Sequence, residues 1–158
     1  MRAAAALPEL AGIASVWAST ETKAIEGAGL LAGALGLGVG VHPGLGENDR
    51  SATGYLPREE FEQVADAFFA RPHDSVRGWE RAADAQARVL AAVEAVLAAA
   101  PPGDVAIVAH GGVGALLLAA LSGRPISRGL DQPGQGCRYA FGRADRALRH
   151  GWVALPEA

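Results

Sequence analysis

Apolar and polar positions fall in alternating blocks along the chain, and the blocks read in turn as strands and helices. Ile13 to Ala18 (IASVWA) reads as a strand. Ser19 and Thr20 then offer capping hydroxyls, Glu21 and Thr22 fall in a first turn, and an Ala/Leu/Gly segment continues as helix to about Leu35. Val39 and Val41 suggest a short strand, and His42 to Thr53 (HPGLGENDRSAT) is a polar loop of the kind that borders active sites. Pro57 to Ala70 is a helix with Pro57 at its start and Glu59 and Glu60 where negative charge is favoured; Arg71 to Arg77 is loop. From Gly78 to Ala100 the residues Val89, Val93, Val96 and Ala100 recur on one helical face, with Leu90 and Leu97 beside them, until Pro101, Pro102 and Gly103 stop the helix.

The best-marked stretch follows. Val105 to Ala109 is a β-branched apolar run that reads as a buried strand, Val113 to Leu121 has the composition of a helix, and His110, Gly111 and Gly112 form the joint. Glycine there permits close approach to whatever sits over the helix start, where free N–H groups and the helix dipole favour an anion such as phosphate. His110 adds a side chain that donates hydrogen bonds and carries charge near neutral pH. A Gly-Gly joint is also a simple way to turn a strand into its helix. Ser122 to Gly134 reads as loop, Cys137 to Phe141 as a late strand, and Trp152 to Leu155 as a short extended stretch. Residues 1 to 10 look helical, with no capping residue ahead of them.

Strands alternating with helices across short joints indicate an α/β domain whose mostly parallel sheet is covered on both faces. The joints after Ala18 and Ala109 both follow strands, so they can share the sheet edge where such folds bind ligands. The 158 residues suit one domain that buries about two thirds of its unfolded surface. Half of the residues are hydrophobic and 20% charged, an ordinary globular balance.

A net charge of -3 with no basic cluster argues against general nucleic-acid binding. Cys137 is the single cysteine, which excludes an internal disulfide and reads as a packing residue. No membrane span and no secretory pattern are read, so the cytoplasm is the default compartment. Four scattered histidines and one cysteine show no metal-ligand spacing, and no cofactor is implied. Gly36 to Gly40 does not fit a dinucleotide loop, a phosphate-binding nucleotide loop is absent, and no nucleophile elbow of a serine hydrolase occurs.

Three segments in this order resemble the histidine phosphatase superfamily, the phosphoglycerate-mutase-like fold. VWASTETKAIEGAGLLAGALGL is similar to that family's strand, Ser-Ser-Pro-Leu-x-Arg-Ala joint and helix; GWERAADAQARVLAAVEAVL to its Gly-Glu-Ser helix start; and VAIVAHGGVGALLLAAL to its strand ending in His-Gly. The resemblance implies a three-layer sandwich over residues 1–158. It also implies a phosphatase acting on a phosphate monoester through a phosphohistidine, with a carboxyl group protonating the leaving oxygen. His110 takes the place of the second histidine, Glu80 that of the acid, and Lys23 stands where the joint has arginine. Phosphate is then held by Lys23, His110 and Gly111. Lysine supplies charge at position 23 without the planar fork that fits two oxygens.

The family's attacking histidine belongs to an Arg-His-Gly motif closing its first strand, and no such motif is read in this chain; His42 precedes Pro43 in a loop and His150 lies in the tail. The expectation is therefore of a domain whose first strand and nucleophile lie upstream, with little activity in the chain as it stands. A non-catalytic relative that binds a phosphorylated small molecule or a phosphoprotein is the alternative. Mutase activity would need a closed, water-free site whose lid the sequence does not display. Asp84 and Arg88 lie at helical spacing from Glu80, so a solvated charge ladder is its competing role, and Glu47 and Asp49 are the other carboxylates available as acid. Arg128 and Arg138 are further basic residues without a supporting pattern. Substrate and oligomeric state are left open.

Overall fold

The computed structural model describes residues 7–156. Its first strand, β1 (Ile13–Ala18), is followed by helix α1 (Thr22–Leu35) and strand β2 (Val39–Val41). Helices α2 (Arg58–Ala70) and α3 (Ala82–Ala99) lead to strand β3 (Asp104–Val108) and helix α4 (Gly111–Leu121), and the chain closes with strands β4 (Cys137–Phe141) and β5 (Leu148–Ala154). The helix read over residues 1 to 10 lies mostly outside the described residues, and Pro8–Leu10 form a single 3-10 turn.

β2, β1 and β3 make a parallel sheet in that order, with Val16 opposite Val39 on one side and Ala106 on the other. Side chains alternate across it with period 2. Val16, Ala18, Ala106 and Val108 face α1, packing on Ala24, Ala28, Leu31 and Ala32; Trp17, Val105 and Ile107 face α3 and α4, packing with Val89, Val93, Val96, Val113 and Leu117. The face read along Val89, Val93, Val96 and Ala100 is buried as the spacing requires. α1 stops at Gly36, whose φ of 69° is the left-handed conformation that returns the last N–H groups to Ala32 and Gly33. A third cluster joins α2 through Val64, Phe68 and Phe69 to Trp79, Ala115 and Leu116.

Two boundaries differ from the sequence reading. The helix expected from Gly78 begins at Ala82, because Val76–Gly78 form a separate 3-10 turn in which Arg77 takes a left-handed φ of 52°. The N-cap position of α1 is Glu21, which makes no side-chain cap, while the Ser19 hydroxyl accepts from Glu21 N at 3.3 Å and also reaches His110.

The tail corrects the expectation of one sheet. β4 and β5 pair with each other, antiparallel, and with no other strand among the described residues. This hairpin docks on α4: the Tyr139 hydroxyl donates to Gly114 O at 3.1 Å, Trp152 Nε1 to Leu130 O at 2.8 Å, and the two rings meet edge to face at 4.7 Å. Burial pushes the Tyr139 phenol up from its ordinary value, so it stays a donor. Beyond β4, Arg143 donates to the carbonyls of Leu97, Ala100, Pro101 and Gly103, tying the end of β4 to the turn before β3. β3 thus pairs on one edge only and is half-buried, where its apolar run read as a fully buried strand.

Candidate active site at the β3–α4 joint

His110 is the N-cap of α4, in extended backbone, and its ring is almost completely buried, the side chain only 3% exposed. Two neighbours reach it from the joint after β1. Ser19 Oγ lies 2.7 Å and Glu21 Oε1 3.0 Å from His110 Nε2. Parallel pairing of β1 with β3, Ala18 opposite Val108, places both joints at one end of the sheet, as the alternating pattern implied. Burial lowers the His110 pKa from its ordinary value and the cations Lys23 and Arg50 act the same way, while Glu21 and Glu47 oppose the shift. For Glu21, burial acts to raise the pKa, but the N–H of Glu47, His110 and Lys23 outweigh it and hold the carboxyl below its usual value.

The free N–H groups at the start of α4 are occupied by Glu47. Its Oε2 accepts from Gly112 N at 3.2 Å and its Oε1 from Val113 N at 3.0 Å. Glycine at position 112 leaves room for this carboxylate, since a Cβ there would stand 2.7 Å from Glu47 Oε1. Arg50 NH2 lies 2.9 Å from the same Glu47 oxygen that accepts from Gly112. A carboxylate therefore sits where the sequence placed an anion, and it is the protein's own.

The loop that delivers Glu47 is pinned from beneath. Arg88 on α3 donates to the carbonyls of Gly44, Gly46 and Glu47 and, from Nε and NH2, to both oxygens of Glu80. Glu80 Oε2 also accepts from Asp49 N. The ladder read from the spacing of Glu80, Asp84 and Arg88 is corrected, because Glu80 precedes the helix and Asp84 pairs with Arg81 instead. Glu80 forms no hydrogen bond or ion pair with His110 among the described residues; its geometry is that of an anchor for the loop.

Lys23 reaches Glu21 Oε2 at 3.2 Å, with a side chain 69% exposed, so its ammonium stands at the rim. Arg50 is placed differently, its guanidinium lying 5.1 Å from the Phe61 ring centroid and 5.2 Å from that of Trp79. Sequence reasoning weighed Glu47 and missed Arg50; the signal available was a charged pair three residues apart in a Gly-rich loop. Arg128 pairs with Glu62 and Arg138 with Glu9, away from His110. The tripeptide Arg149-His150-Gly151 does occur, which the reading of the tail passed over. It lies within antiparallel β5, with His150 against Arg138 and Arg149 paired with Asp145, and no hydrogen bond or ion pair links it to His110 or Glu47. Among the described residues no group of three or more His, Cys, Asp or Glu is arranged to hold a metal, and no helix is long and apolar enough to cross a membrane.

A family model described as histidine phosphatase superfamily (branch 1) matches residues 1–141. The chain belongs to that superfamily. Among solved structures, a mycobacterial glucosyl-3-phosphoglycerate phosphatase in complex with VO3 superposes with a TM-score of 0.75 at 24% identity, over 97% of this chain and 83% of that one. YhfR of Bacillus stearothermophilus gives 0.69 at 23% identity, over 95% and 79%, and the alpha-ribazole phosphatase of Shigella flexneri 0.64 at 20% identity, over 98% and 78%. These likenesses establish the phosphoglycerate-mutase-like α/β fold. No curated protein matches the chain.

Proposed function

We propose that this histidine phosphatase domain binds and hydrolyses a phosphate monoester at the β3–α4 joint. The observation that carries the reading is that the Gly112 and Val113 N–H groups at the start of α4 already hold a carboxylate, that of Glu47, whose charge acts on the buried His110 ring. His110 and the α4 N–H groups hold the phosphoryl oxygens, Gly111 leaves room above the helix, and Lys23 contributes charge from the rim. We assign the proton-donating role to Glu47 in preference to Glu80. Glu47 is the carboxyl that stands at the start of α4, where the phosphoryl group would sit and from where a proton can pass to the leaving oxygen. Both Glu80 oxygens are spent on Arg88.

The attacking histidine is proposed to come from an extended segment outside these described residues, seated between the open edges of β3 and β4. Both strands are paired on one side only among the described residues, and Val105, Ile107, Tyr139 and Phe141 pack against one apolar cluster. Backbone N–H and C=O groups along such edges favour pairing. One observation favours the second reading, a non-catalytic module for a phosphorylated small molecule or phosphoprotein: among the described residues no other histidine contacts His110. The test is hydrolysis of para-nitrophenyl phosphate by the 158-residue chain alongside binding of vanadate. The proposal expects binding with background turnover. Turnover at an ordinary phosphatase rate that His110→Ala abolishes would place the nucleophile within this chain and overturn the assignment.

A further inference from the structure

The basic residues around His110 divide unequally between site and solvent. Lys23, which occupies the position where the family joint has arginine, has a side chain 69% exposed and a carboxylate partner, Glu21, already at 3.2 Å. Arg50, by contrast, is held on three sides. Phe61 and Trp79 lie against its guanidinium, Asn48 Oδ1 accepts from its Nε at 3.1 Å, and Glu47 stands 2.9 Å from NH2. The Glu47 carboxylate is the same one that takes the Gly112 and Val113 N–H groups beside His110. A fork fixed in this way loses little freedom on gripping an anion.

Asn48 supplies an independent sign of a missing ligand. The residue is 5% exposed, and its Nδ2 is buried with no hydrogen-bond partner. The amide cannot be read the other way round, because Arg50 Nε–H needs the oxygen where it stands. A buried N–H2 without an acceptor is unfavourable, so its presence next to a guanidinium marks a place for an incoming oxygen.

We propose that Arg50 and the Asn48 amide bind the phosphoryl group of the substrate, the loop at residues 48–50 supplying the planar fork that position 23 lacks. This rests on the phosphate reading of the joint. Glu47 then acts as a stand-in for the ligand, filling the seat until an oxyanion shares it.

The experiment is calorimetric titration of the 158-residue chain and its variants with inorganic phosphate. Arg50→Lys keeps the charge and removes the fork, and is expected to weaken binding at least about tenfold, more than Lys23→Met does. Asn48→Asp keeps an acceptor for Arg50 Nε while removing the free donor, so it leaves Arg50 held and is also expected to weaken binding about tenfold. Circular dichroism confirms that each variant is folded, and Arg50→Lys serves if Asn48→Asp is not. Phosphate binding that Arg50→Lys leaves at the native level, or that Lys23→Met weakens more, overturns this assignment alone. Failure of the native chain to bind phosphate at all overturns the reading of the joint and this inference with it.

Discussion

At the scale of the residue, the site is a balance of charges around one buried ring. Burial holds His110 toward its neutral form against the pull of Glu21 and Glu47, so a further anion beside the ring favours its proton. NMR titration of the imidazole is expected to give a midpoint below that of a free histidine, rising when phosphate is added. The same shift fixes a sign for folding. The unfolded chain takes up this proton more readily, so stability is whole above the ordinary histidine value of 6.5 and falls as pH drops below it. Urea midpoints at pH 7.5 and 5.5 read this directly: acid is expected to lower the native midpoint more than that of His110→Gln, and an equal or smaller fall in the native chain would contradict it. Glu47 gives the second prediction. Glu47→Gln removes the negative charge at the start of α4, and phosphate affinity is expected to rise by about tenfold, one pKa unit's worth of interaction. Hydrolysis, wherever the nucleophile is supplied, falls at the same time.

At the scale of the element, the loop between β2 and α2 is positioned by Arg88, whose guanidinium takes three loop carbonyls and both Glu80 oxygens. Arg88→Met leaves those acceptors half-buried without donors, and the expected loss is about 2 kcal/mol of stability by denaturant unfolding. Weaker phosphate binding should accompany it as Glu47 loses its register. Leu116→Ala in the interior of α4 is expected to cost about 3 kcal/mol from its fully buried position, checked the same way. The elements themselves were legible in the sequence wherever a period repeated. Val89, Val93 and Val96 marked the face of α3, and the β-branched run before His110 marked β3. What could not be read was the role of isolated charges. In the sequence Glu80 reads as part of a helix and Glu47 as part of a loop; only their distances to Arg88 and to the α4 N–H groups tell the anchor from the site residue. Arg50 escaped notice because the aromatic rings that hold it come from positions 61 and 79, a pairing that no local spacing records.

At the scale of the whole molecule, the architecture is a three-stranded parallel sheet between helices, with a two-stranded hairpin set apart on the same helix layer. The α/β class and the shared sheet edge followed from alternation of strand and helix, but strand order did not, since the partner of an edge is chosen by contacts far away in the chain. β1 has neighbours on both sides and β3 on one. Amide hydrogen exchange is therefore expected to be slower in β1 than on the open side of β3, by roughly tenfold or more given how strongly protection follows local stability. Equal protection would argue against an open edge.

The central claim is that the start of α4 and the His110 ring form a seat for phosphate, and two-dimensional nitrogen–proton NMR during a titration with inorganic phosphate tests it most directly. The amides of Gly112 and Val113 and the His110 ring are expected to shift together and saturate with one binding constant. If they stay in place at saturating phosphate while the rest of the spectrum confirms a folded chain, the account of this site is wrong.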